Sequence, residues 1–177
     1  NNIINRAKVH SDLENALKKF DYVIATTNRK RFLNKETTNN FTKINKLLNN
    51  YKKTAILFGP ENSGLSNEDL QLSNLIFSIN TNKNSNSLNL SHAVGIISYK
   101  IFELGHSKNL QTKNENDHYV NKEQLSKYFN YLFEKLTIKN FFVPKEKTKS
   151  MKDNIFNIYS KSPLTKKELQ TLWGITK

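Results

Sequence analysis

A parallel α/β domain followed by a small helical module is the architecture this sequence predicts, and three observations carry the prediction. Three short apolar runs, at 21–27 (DYVIATT), 54–59 (TAILFG) and 75–80 (LIFSIN), lack the polar alternation of a half-exposed strand; runs of that kind are buried on both faces. Segments of helical periodicity separate them, as crossovers between parallel strands require. Beyond a polar stretch at 107–118 the pattern becomes amphipathic helix alone. The expected division is a domain over 1–106, a linker over 107–118 and a helical extension over 119–177.

Each element has its own local signal. Ser11 and Glu14 stand at capping-box spacing and predict a short helix carrying Leu13, Ala16 and Leu17. After the first strand, residues 28–40 are polar and read as a loop. Phe41, Ile44, Leu47 and Leu48 then mark one helical face. The second strand ends at Gly59-Pro60, and a short helix is expected over 66–72 before the third strand. A polar loop at 81–87 leads into a long helix over about 89–104, with Gly105 as its stop. In the extension, Leu125, Tyr128, Phe129, Leu132, Phe133 and Leu136 recur at three-and-four spacing. A second helix over 151–160 is expected to bury Ile155, Ile158 and Tyr159. A third starts at Thr165, with Glu168 completing a capping box and Leu164 and Leu169 at staple spacing.

Composition narrows the function. With no cysteine among 177 residues, disulfides and thiolate metal sites are excluded, and a reducing, cytoplasmic setting is expected. The four histidines are scattered, so no metal is expected. No membrane span or signal peptide is expected either. The first residue is Asn rather than Met, which reads as a fragment or processed form. The net charge of +13 invites a nucleic-acid partner, but much of it follows from a general excess of lysine and asparagine. Only Arg6, Arg29 and Arg31 of the 28 basic residues are arginine, and two of the three fall in one segment, TTNRKR. Lys145 to Lys152 holds four lysines, readable as an RNA-contacting face or as a plain charged loop.

Three polar loops leave the C-terminal ends of the predicted strands, TTNRKR, GPENSGLS and NTNKNSNSLNLS. In open parallel sheets that edge binds ligands. The five glycines make no GxGxxG and no GxxxxGKS/T, which disfavours a dinucleotide site or a P-loop. No serine sits in a nucleophile elbow, and no carboxylate pair forms an acid/base couple. Pro60 holds Gly59 out of the helical region. Asn89 or Ser91 can cap the long helix, and for Asn89 capping and a direct site role both stand.

FGPENSGLSNEDL followed by INTNKNSNSLNLSHAV resembles motifs 2 and 3 of the SPOUT methyltransferases, in the TrmH-like group of RNA ribose 2′-O-methyltransferases. ATTNRKR is similar to the corresponding segment of the TrmJ branch, and FFVPK and SPLTKKELQTLWGI are similar to the extension of that branch. The resemblance implies a parallel sheet with a trefoil knot, a homodimer, S-adenosylmethionine as cofactor and tRNA as substrate, methylated at the first nucleotide of the anticodon loop. Carried over by position, it implies cofactor contacts at Thr26, Thr27, Asn28, Gly59, Ile79, Asn86, Ser87 and Leu88. It assigns Glu61, Ser87 and Asn89 to the catalytic set. Arg29 and Arg31 follow the cofactor loop, where phosphate recognition is expected. The family's N-x-G-x-x-x-R helix start, whose arginine is the assigned base, has no match in this chain. The alternative reading is therefore a knotted RNA-binding protein without catalysis, and a weaker one is an α/β small-molecule binder.

Overall fold

The computed structural model describes residues 2–29, 35–82, 88–106 and 119–177. Strand β1 (Tyr22–Thr26) pairs in parallel with β3 (Thr54–Leu57) on one side and β4 (Leu75–Phe77) on the other, and β2 (Thr37–Thr38) closes the sheet beside β4. The predicted parallel sheet is present, with one strand more than the apolar runs announce. β2 lies within the stretch read as loop. Ile76 N donates to Glu36 O (2.9 Å) and Ser78 N to Thr38 O (3.0 Å), so β4 recruits a polar neighbour to satisfy its outer backbone groups. The third strand ends at Phe77, earlier than expected.

Side chains of the central strands divide between two layers. Tyr22, Ile24, Leu75 and Phe77 pack on one face with Ile44 of α3 (Phe41–Asn50) and Ile97 of α5 (Leu90–His106). Ala25 and Ile76 point the other way, onto Leu65 and onto Leu70 of α4 (Asn67–Gln71). Burial on both faces is why these strands carry no polar alternation. Tyr22 and Tyr51 stack at 4.5 Å, and Tyr119 meets Tyr51 edge-on at 4.8 Å.

Caps fix the helix starts. The N-terminal stretch holds α1 (Asn2–Asn5) and α2 (Leu13–Leu17), and α2 is capped by Asp12, whose carboxylate accepts from Asn15 N at 2.7 Å. Ser11 instead donates to Asp12, so the cap falls one residue later than predicted. Asn40 caps α3, and Ser66 with Asp69 forms a capping box on α4. α5 continues through Gly105 to His106 rather than stopping there.

The extension builds its own core from α6 (Lys122–Ile138), α7 (Thr148–Ser160) and α8 (Lys166–Ile175). Tyr128, Phe129 and Leu132 of α6 pack with Leu169, and Phe156, Tyr159 and Trp173 close around them. Ile158 is 63% exposed, contrary to expectation; Phe156, on the facing side of α7, takes the core position. The capping box of Thr165 and Glu168 forms as predicted, and Leu164 and Leu169 join the same cluster. The predicted linker at 107–118 lies outside the described residues.

The extension docks at the N-terminal ends of the strands. Lys122 N and Glu123 N donate to Phe20 O and Lys18 O (3.1 and 3.2 Å). Asn74 sits at the centre of the seam. Its N–H donates to Val23 O (2.7 Å) and its amide nitrogen to Ser160 O (3.1 Å). Its side-chain oxygen accepts from Val23 N (3.0 Å) and Lys122 Nζ (2.7 Å). Lys122 is half-buried as a residue and its ammonium is enclosed; burial, with the nearby Lys35 charge, pulls its pKa down to about 7. Burial likewise lowers Lys35 to about 8, against the pull of Asp153.

Candidate active site

Strand order reverses about β1. From β1 the chain passes to β2 at one edge of the sheet, crosses to β3 on the other side of β1, and returns to β4 between β1 and β2. At the C-terminal ends of these strands their loops enclose a cleft of about 670 Å³, within the span of small-molecule sites. Ligands of open α/β sheets occupy this kind of switch point.

Hydrogen bonds tie the loops to one another. Thr26 Oγ1 donates to Leu57 O at 2.6 Å, which commits the hydroxyl proton to β3. Thr27 N donates to Phe77 O (3.1 Å) and Asn28 Nδ2 to Thr81 Oγ1 (3.1 Å), joining the β1 loop to the β4 loop. Arg29 N donates to Thr27 Oγ1 (3.2 Å), and the exposed Arg29 lines the cleft.

The loop after β3 closes on itself. Gly64 N donates to Pro60 O (2.7 Å), and Gly64 takes a φ of +67°, a region that favours glycine. Gly59 is required for a second reason. A Cβ there would lie 2.7 Å from Gly64 Cα and closer still to Leu65 N. The absent side chain thus serves the loop's own backbone, in addition to the open wall it gives the cleft.

Glu61 joins this loop to α5. Asn89 Nδ2 donates to the Glu61 carboxylate, while Asn89 Oδ1 accepts from Ser91 N (2.9 Å) at the first turn of the helix. The capping reading of Asn89 is thus met by Oδ1, while the other end of the same amide bonds the Glu61 carboxylate. Ile79 and Leu88 supply apolar wall.

Of the residues singled out from sequence, Thr26, Thr27, Asn28, Arg29, Gly59, Glu61, Ile79 and Leu88 share this one cleft, and Asn89 reaches it through Glu61. Arg31, Asn86 and Ser87 lie outside the described residues. Sequence reading missed Phe58, Thr81, Leu90 and Ala93 as lining residues. Phe58 directly follows β3, and Thr81 follows the apolar run 75–80 read from the sequence as the third strand, so the ends of those runs were the available signal. Among the described residues no group of His, Asp or Glu is placed to hold a metal, and no helix is long and apolar enough to cross a membrane.

Fold and cleft together define a parallel α/β protein with a ligand-sized cleft at the strand ends, rimmed by polar groups and Arg29. Within that class the chain belongs to the SpoU rRNA Methylase family, whose model matches residues 2–99. It is 28% identical to a tRNA (cytidine-2′-O-)-methyltransferase, TrmJ, of Methanocaldococcus jannaschii, over 99% of this chain and 76% of the relative. It is also 28% identical to an uncharacterized tRNA/rRNA methyltransferase of Haemophilus influenzae, over 98% of this chain and 72% of that one. The solved structure of TrmJ from Z. mobilis ZM4 is similar at a TM-score of 0.84 and 25% identity, covering 98% of this chain and 74% of that one.

Proposed function

We propose that this chain is an S-adenosylmethionine-dependent tRNA ribose 2′-O-methyltransferase, acting in the cytoplasm as a homodimer at the first nucleotide of the anticodon loop. The observation that carries the reading is the closure of the two family motifs around one cleft: the Gly59–Leu65 loop and the start of α5 meet through Glu61 and Asn89.

The cleft fits the cofactor. It has the volume for a nucleoside-sized ligand, apolar wall at Ile79 and Leu88 for a base, and polar groups at Thr27 and Asn28. Thr26, Thr27, Asn28, Gly59, Ile79 and Leu88, with Asn86 and Ser87, are the residues assigned to hold it. When bound, its sulfonium supplies an electrophilic methyl group. Glu61, fixed by Asn89, stands at the cleft mouth to orient the accepting ribose, and Ser87 completes that set. Positioning of this kind supplies much of the rate of an in-line transfer. Arg29 and Arg31 are assigned to RNA phosphates.

The lysine tract lies at the same level as the cleft-facing loop. Lys149 pairs with Glu68 (3.2 Å) in the first turn of α4, and Ser160 meets Asn74 beyond its last turn. α7 therefore runs alongside α4, from the cleft edge to the opposite edge. We assign Lys145, Lys147 and Lys149 to contacts with an RNA that extends from the cleft along this side.

The homodimer is supported by α5, whose outer face exposes Val94, Ile96, Tyr99 and Phe102. A Cβ on Gly95 of that face would meet nothing in this chain, so the bare backbone there leaves room for close approach by a second helix. The trefoil knot belongs with the family assignment and the reversed strand order.

Transfer of labelled methyl from S-adenosylmethionine to tRNA, with the modified nucleotide mapped, tests the activity. Leu88→Arg is expected to abolish both cofactor binding and transfer. Binding of tRNA without transfer would favour the non-catalytic reading.

A further inference from the structure

The turn between α6 and α7 groups three exposed apolar side chains around one buried ring. Ile138, Phe141 and Val143 are 70%, 50% and 68% exposed, while Phe142 is buried. The exposed ring is held rather than loose. Asn140 takes a φ of +52°, Phe141 N donates to Leu136 O (3.0 Å) and Asn140 N to Thr137 O (3.0 Å), the Schellman closure of a helix. The Phe141 ring meets Phe142 nearly edge-on at 5.5 Å, and Phe142 packs on Phe133 at 6.1 Å. The Lys152 ammonium lies 5.3 and 5.4 Å from the centres of the Phe142 and Phe133 rings, within cation–π range. Half of Phe141 is thus offered to solvent on a fixed base, and a partner there has little left to order.

The surroundings are basic. From Lys139 to Lys149 the turn carries four lysines, all exposed, against Glu146 alone. α6 leaves the seam at Lys122 and α7 returns to it at Ser160, so the turn lies at the far end of the extension. The pairing of Lys149 with Glu68 (3.2 Å) sets that end beside the start of α4, which directly follows the Gly59–Leu65 wall of the cleft. A fixed aromatic face among cations suits a polyanion whose own flat apolar groups are open. Unpaired RNA is such a partner, its bases stacking on the ring while its phosphates meet the lysines. A duplex keeps its base faces stacked inside. A lipid surface is met by a helix with a continuous outward apolar face, whereas α6 and α7 turn theirs into the core.

We propose that Phe141 is a stacking platform for an unpaired base of the bound RNA, with Lys139, Lys145 and Lys147 taking the adjoining phosphates. The extension then grips nucleotides beside the one that enters the cleft. This rests on the reading that the chain acts on tRNA.

The test measures, on the full chain, filter retention of tRNA, of a single-stranded oligoribonucleotide and of its duplex. Cofactor binding is followed by calorimetry, and methyl transfer to tRNA by steady-state kinetics. Phe141→Leu keeps apolar bulk and loses the aromatic face. It is expected to weaken single-strand and tRNA binding about tenfold and to raise the KM for tRNA by a like factor. Duplex binding and cofactor affinity are expected to stay within about twofold of wild type. Phe141→Trp is expected to keep wild-type affinity or exceed it. Lys147→Gln is expected to weaken single strand and duplex alike and to lower the salt slope by about 1.

Wild-type affinity for single strand and tRNA in Phe141→Leu overturns the proposal, as does an equal loss on single strand and duplex. Loss of binding to phosphatidylglycerol-containing vesicles in that variant, with RNA binding unchanged, assigns the patch to a membrane and overturns it too. If circular dichroism shows Phe141→Leu unfolded, Phe141→Trp decides: its added fluorescence is expected to be quenched by the single strand and not by the duplex, and unquenched emission overturns the platform. Methyl transfer by the wild type, with unchanged tRNA affinity in Phe141→Leu, keeps the enzyme reading and removes this one. Single-strand binding that depends on Phe141, in a chain that transfers no methyl, does the reverse.

Discussion

The two edges of the sheet start from the same strands and are finished in opposite ways. At the C-terminal ends of β1, β3 and β4, loops bond to one another and leave a cleft whose charged groups face solvent. At the N-terminal ends the helical extension fills the space, Asn74 takes part in four hydrogen bonds, and two ammonium groups are desolvated. Binding capacity is kept where polar groups remain solvated. Docking is fixed where every backbone group near the seam needs a partner. The extension thus buttresses the sheet from behind without covering the site.

The largest effect is expected from breaking the sealed edge. Asn74→Leu removes the acceptor for both Val23 N and Lys122 Nζ and is expected to cost about 3–5 kcal/mol in urea unfolding. Cofactor affinity of the protein still folded should stay near wild type, because the cleft lies at the other edge. Breaking the open edge is expected to reverse the balance. Gly59→Ala forces a Cβ into the Gly64–Leu65 backbone, costing about 2–4 kcal/mol and more than about tenfold in cofactor affinity by calorimetry.

Titration sharpens the contrast next. Lys122 and Lys35 have folded pKa values below their ordinary one of 10.5, so above pH 7 the unfolded chain binds more protons than the folded one. Stability is therefore expected to rise from pH 7 to pH 9. The window stays below tyrosine ionisation, where buried Tyr22 and Tyr51, both raised, act in the opposite sense. Lys122→Met should flatten most of the rise in thermal denaturation scans across that window. The smallest effect is expected within the extension itself: Thr165→Ala removes the cap of α8 for about 1 kcal/mol, with tRNA and cofactor affinities unchanged.

How much of this was legible in the sequence follows the same division. The cleft was readable because its parts sit at the ends of β1 and β3, marked by TTN and Gly59-Pro60, and at the start of α5, marked by LNL, where residue type and position speak together. The central strands were readable because burial on both faces leaves a continuous apolar run. β2 was not, since Thr37 and Thr38 pair to satisfy β4 and carry no apolar signal of their own. Gly105 suggested a stop that the helix ignores, and Ser11 offered a cap that Asp12 takes. Lys35, Asn74 and Lys122 were invisible for a plainer reason. In a chain so rich in lysine and asparagine, nothing in residue type separates a buried junction from a solvated loop, and only the packing of distant segments makes the distinction.

The turn from Gly59 to Leu65 has a consequence for affinity. Its backbone closes on itself through Pro60 O and the space that Gly59 leaves open, with no ligand needed to hold it. The wall it presents is therefore preorganised: its loss of conformational freedom is met during folding and does not recur at each encounter. A ligand entering the cleft would thus not have to order this loop, and its contacts there would count toward binding strength.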